Sequence, residues 1–176
     1  METYSEPKAL VDNPHYREQR RKCLSGLSMD MIDEPISGVI SAINQLPYCF
    51  TLQCCHGHFV YNGQEDPHNL EPLPIKKSIQ MVEWRIAYVA FCIENSDKGR
   101  KLMDTLQEVT MINTENIQFC SAEWFWERQV NSYALQVEPE RFKAEDKAML
   151  NYEEALKIEK VRNEFYAQLE KMLQKL

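Results

Sequence analysis

The chain has 176 residues, 44% of them hydrophobic, so the expectation is one globular domain with a real core. Its 27 acidic residues outnumber 20 basic ones, and the formal net charge of -7 argues against a general nucleic-acid binder. No run approaches the roughly 18 apolar residues of a membrane span, and Met1 to Pro7 lacks the charged-then-apolar profile of a signal peptide, so a soluble cytoplasmic protein is expected.

The first dozen residues, with Pro7 and Pro14, read as an irregular lead-in. From Tyr16 to about Leu27 a helix is expected, carrying the one concentrated positive patch, Arg17, Arg20, Arg21 and Lys22. A solvated face is the plain account of that patch. Arginines at 20 and 21 contacting an anionic ligand are the functional one. Asp33-Glu34-Pro35 has the marks of a helix start, with acidic residues in the first turn and proline near the first helical position. Ile36, Val39, Ile40 and Ile43 recur at helical spacing, which predicts one buried face ending near Asn44 to Pro47.

That helix delivers the chain to Phe50-Thr51-Leu52-Gln53-Cys54-Cys55-His56-Gly57-His58-Phe59. β-prone residues flank the thiols and imidazoles on both sides, so the cluster interrupts or joins two strands. Gly57 between the histidines allows a sharp bend or a close approach. With no export signal, the six cysteines read as reduced thiols.

A proline-punctuated segment follows, roughly Asn62 to Lys77, and includes His68, which either lies exposed or swings over the cluster. From Glu83 to Ile93 a nearly continuous apolar run suits one central strand, with Ser96 capping the next helix. Another strand region is expected from Ile117 to Trp126, where two tryptophans around Phe125 serve either a core or a stacking platform for a base. Ser132 to Val137 reads as a further strand. From Glu140 to Leu176 apolar residues recur every three or four positions, which predicts a long amphipathic helix. Its stripe packs on its own domain, residues 1–139, or on a partner, a homodimer contact included.

Three chemistries fit the cluster. Thiolate and imidazole suit zinc, and Cys54, His56 and His58 would share one face if the stretch were extended. A nucleophilic Cys55 or Cys54 with His56 or His58 as its base, and a small-molecule site at the Gly57 backbone, are the others, and partly buried side chains bonded to backbone groups are the structural alternative.

Asp33-Glu34-Pro35-Ile36, Ile43-Asn44 and Phe50 to His58 together resemble the N-terminal signature of the wybutosine-synthesis methyltransferase family. Cys55 matches that family's cysteine, Gly57 its glycine, and Asp33 and Glu34 its acidic pair. His56 stands where the family has serine and His58 where it has arginine. The resemblance implies methyl transfer from S-adenosylmethionine, with tRNA as the family's substrate. It places Cys55, His56 and Gly57 against the ligand, and His58, Asp33 and Glu34 in catalysis. The expected architecture is an α+β domain with a mixed sheet, surface helices and a long C-terminal helix. A non-enzymatic metal-binding or interaction protein on that scaffold is the alternative.

Overall fold

The computed structural model describes residues 4–76, 78–139 and 147–176. Its class is α+β with a long C-terminal helix. Helix α1 (Tyr16–Gly26) precedes a 3-10 turn, Glu34–Ile36, which runs into α2 (Ser37–Gln45). The stripe of Ile36, Val39, Ile40 and Ile43 is buried, as its spacing requires. Strands β2 (Cys49–Cys55) and β3 (His58–Tyr61) follow, then β4 (Met81–Arg85) and β5 (Ala87–Ile93). The chain continues through α3 (Asp97–Val109), β6 (Ile117–Ala122), the short α4 (Glu123–Trp126) and β7 (Ser132–Val137). Strand β8 (Lys147–Asn151) leads into α5 (Tyr152–Leu173), and β1 is the pair Tyr4–Ser5.

A mixed sheet was expected, whereas the strands form two sheets, ordered β1-β6-β7-β5-β2 and β3-β4-β8, with every pairing among the described residues antiparallel. The cause lies in one long hairpin. Strand β2 pairs with β5 and β3 pairs with β4, and the register continues across the break, with Cys55 opposite Tyr88 and His58 opposite Arg85. The hairpin bends at His56-Gly57 on one side and at Ile86 on the other, which hands it from the larger sheet to the smaller. The single strand expected over Glu83 to Ile93 is therefore two strands. Strand β4 alternates, with Val82 and Trp84 buried between half-buried Glu83 and Arg85, whereas β5 is buried almost throughout, and Trp84 and Ile86 carry the apolar run across the change of sheet.

Two further expectations change. The strand region at Ile117 to Trp126 stops at Ala122, and the tryptophans lie on the turn of α4. Trp126 meets Tyr133 edge-on, and Lys8 sits 4.8 Å over its ring. The helix expected from Glu140 begins at Tyr152; residues 140–146 lie outside the described residues, and Ala148 belongs to β8. Asn151 caps α5, its side chain accepting from the Glu154 N–H at 2.9 Å. The apolar face of α5 (Ala155, Ile158, Phe165, Leu169, Leu173) is buried in the main core with α2, α3 and both sheets. Helix α1 covers the first part of β2, where Tyr16 packs on Phe50.

Candidate metal centre

The bend at Gly57 is a packing requirement as well as a turn. Its φ is +89°, a conformation that side chains rarely adopt, and a Cβ built there would lie 2.2 Å from Trp84 Cη2 and 2.9 Å from Ala87 Cβ. Trp84 is fully buried and fixed, its indole N–H donating to the Val137 carbonyl at 3.1 Å. Only glycine lets the two sheets close on that ring.

The bend there brings Asp33, Cys55 and His58 together, one ligand atom from each lying within 4.8 Å of the others. No other such trio of donor side chains occurs among the described residues. Asp33 heads the 3-10 turn, but its carboxylate does not cap it. Instead Oδ2 accepts the His56 backbone N–H at 2.7 Å and lies 3.7 Å from His58 Nε2. The Cys55 sulfur accepts from the Gly57 N–H at 3.4 Å. His58 is buried, whereas a quarter of the Asp33 side chain remains exposed, at 26%. Water and ions therefore reach the centre from the Asp33 side.

Helix α5 holds the bend from behind. The Tyr166 hydroxyl donates to the Cys55 carbonyl at 2.7 Å, and Arg162 Nη1 donates to the Gly57 carbonyl at 3.2 Å. Arg162 is buried, with its guanidinium 5.3 Å over Phe59 and Glu159 3.8 Å away. The His56 ring stacks on Tyr166 at 5.6 Å. Neither Arg162 nor Tyr166 was singled out from the sequence. A readable signal existed, since Arg162 is a charged residue set within the apolar stripe of an amphipathic helix.

Burial governs the local titration. It pushes the Cys55 thiol up, against the opposing Gly57 N–H, and the Asp33 carboxylate adds to the rise. A thiolate nucleophile at neutral pH is thereby disfavoured in the metal-free protein. Burial likewise carries the Cys54 thiol to about 12. His56 is lowered to about 4 by burial and by the Arg162 charge, with Asp33 opposing, so its imidazole is neutral near pH 7.

Of the candidates read from the sequence, His58, Asp33, Cys55 and Gly57 meet at this bend, and His56 contributes its backbone N–H. Cys54 does not join the donor set: it stands opposite Val89 and packs against the main core. Alternation places neighbouring strand residues on opposite faces, and the bend prevents the extended Cys54-His56-His58 face from forming. Glu34 is exposed beside Asp33 and stays outside the trio. Arg20 donates to the carbonyls of Asn44, Leu46 and Cys49, so it serves the first residue of β2 while the centre lies at the last. Arg21 is exposed on α1.

A cleft of about 240 Å³ opens beside the bend, between Pro35, Val39 and His56 on one side and Asn163, Tyr166 and Glu170 on the other. A larger one, about 540 Å³, lies between Asn116, Glu154 and Lys157 and shares no residue with the centre. No described helix is long and apolar enough to cross a membrane.

No protein-family model matches this chain, and no curated protein does. Among solved structures it is similar to the PH1069 protein from Pyrococcus horikoshii, with 15% identity, a TM-score of 0.46, and 91% of each chain covered.

Proposed function

We propose that this chain binds a divalent transition-metal ion of the zinc class through Asp33, Cys55 and His58. The observation that carries the reading is the convergence of a carboxylate, a thiol and an imidazole, from two separate stretches, within 4.8 Å. Neighbouring donors in a tetrahedral zinc site lie roughly 3.3–3.8 Å apart, given bond lengths near 2.0–2.3 Å. The Asp33 to His58 separation of 3.7 Å is in that range. A mixed oxygen, sulfur and nitrogen set suits zinc or cobalt and does not suit magnesium or calcium, which take oxygen donors. The Asp33 oxygen is also braced by the His56 N–H, as ligating carboxylates commonly are. When bound, such an ion supplies Lewis acidity. The chain's own part is to fix the donors, with Tyr166 holding the Cys55–His56 peptide and Arg162 the Gly57–His58 peptide.

The test is zinc or cobalt(II) titration of untagged, reduced, chelator-stripped protein. One ion per chain is expected, with a thiolate-to-cobalt absorption band that Cys55→Ser abolishes and Cys54→Ser leaves in place. Affinity unchanged in Asp33→Ala, Cys55→Ser and His58→Ala would reject the centre.

A second reading is methyl transfer from S-adenosylmethionine, and one observation favours it. The positions resembling the wybutosine methyltransferase motif, Asp33, Cys55 and Gly57, gather at one bend although Asp33 is remote in sequence. On that reading His58 orients the acceptor, a tRNA base being the family's, or takes its proton. Calorimetric titration with S-adenosylmethionine decides it. Saturable binding near one per chain supports the reading, and no heat at several temperatures with folded protein rejects it.

A further inference from the structure

We infer that His68, carried on the loop between β3 and β4, is the fourth ligand of this centre, closing an Asp-Cys-His-His site. The inference rests on the metal reading above. The His68 ring stands edge-on to His58, with centroids 5.7 Å apart and planes at 82°. Two imidazoles sharing one tetrahedral ion hold their centroids roughly 5 Å apart, given zinc–nitrogen bonds of about 2.0–2.1 Å. His68 is already near that separation, although its nitrogens are not yet among the converged atoms. It is exposed, so its side chain is free to rotate the remaining distance.

The loop backbone is built to hold His68 there. Asp66 Oδ1 accepts the His68 N–H at 2.9 Å, and the Asn69 N–H returns to the Asp66 carbonyl at 3.2 Å. Further along, the Leu73 N–H donates to Glu159 at 2.8 Å, and the Tyr152 hydroxyl donates to the Pro74 carbonyl at 2.8 Å. Both partners are on α5, the helix that braces the bend, so one helix positions three of the ligands' supports: the Cys55 carbonyl, the Gly57 carbonyl and the His68 loop. A loop-borne ligand also couples the ion to chain order, since binding then ties the loop to the bend.

Cobalt(II) titration of the untagged, reduced full chain and of His68→Ala tests this, with urea midpoints showing that the exposed substitution leaves the fold intact. Loss of the ligand is expected to weaken cobalt binding by at least about tenfold, the lower end of what losing even an outer partner costs. It is also expected to change the d–d bands, while the Cys55 charge-transfer band persists. Metal should protect the segment around His68 from limited proteolysis in the wild type and not in the variant. Equal affinity and identical d–d bands in His68→Ala would overturn the assignment and leave the three-donor centre standing. Weaker binding with unchanged d–d bands would make His68 a loop anchor and overturn its role as a ligand. Absence of cobalt binding in the wild type would overturn both readings.

Discussion

The Tyr166 hydroxyl donates to the Cys55 carbonyl at 2.7 Å across 111 positions of sequence. One turn earlier on the same helix face, Arg162 donates to the Gly57 carbonyl. The Cys55–His56 and Gly57–His58 peptides, on either side of the His56-Gly57 bend, are thus held by the last helix of the chain. This makes α5 part of the centre's support, because moving the helix moves the carbonyls that set where Cys55 and His58 point.

Replacing Tyr166 with phenylalanine keeps the ring stacked on His56 and removes only the donor. Leaving the Cys55 carbonyl without that partner costs about 1–2 kcal/mol. Urea unfolding of metal-free protein should show that loss, and zinc affinity should fall with it because the bend loosens. An unchanged midpoint would mean that the bond contributes nothing to the bend.

Gly57→Ala tests whether the bend is set by packing. The methyl group would need space occupied by Trp84 and Ala87, and φ near +89° adds strain for any side chain. A loss of about 3 kcal/mol or more is expected, combining overpacking with a strained backbone. Chemical denaturation measures it, and a loss under about 1 kcal/mol would show that the sheets can part without cost.

Arg20 and Arg21 should behave oppositely. Arg20→Ala leaves three main-chain carbonyls without their charged donor and should cost about 1–3 kcal/mol. Its metal stoichiometry should stay at the wild-type value. Arg21→Ala, at an exposed position, should change stability by no more than about 0.5 kcal/mol. If Arg21→Ala instead abolished binding of an anionic ligand, the positive patch would have a functional role after all.

Acid should remove the contribution of Glu83, which joins Arg85 on its own strand to Lys147 on β8. Hydrogen bonds from Arg85 and then Lys147 hold its carboxyl below the ordinary value of 4.5. The unfolded chain therefore binds this proton more readily than the folded one, and the stabilisation is present above the unfolded value. It fades as pH falls through the lower folded value. Glu83→Gln should be less stable than wild type by about 0.5 kcal/mol at pH 7, with the difference closing at an acid pH below the folded value. Urea midpoints at both pH values measure it, and a constant difference would refute the linkage.

Much of the helical structure was legible because its signals are local. The Ile36 to Ile43 stripe and the Ser96 cap, which accepts the Gly99 N–H at 3.1 Å, need only neighbouring residues. Strand β8 was hidden for an equally physical reason. Ala148 and Leu150 are buried between exposed Lys147, Met149 and Asn151, a period of two. Ala148, Tyr152 and Ala155 also fit a period of 3.6, and the longer pattern masked the shorter. The split of the apolar run at Ile86 was masked because Trp84 and Ile86 are buried on either side of Arg85 and join the alternating β4 to the buried β5.

By itself the sequence determined which donors exist and that a bend is allowed between Cys55 and His58, because a glycine between two strand-forming stretches is a local fact. It also supplied Asp33 at the head of a helical turn. Only the tertiary structure decided that Cys55, not Cys54, joins His58 and Asp33, and that α5 holds the bend. Those choices depend on strand register, on the close approach of Trp84 to Gly57, and on contacts between residues more than a hundred positions apart, none of which a local pattern encodes.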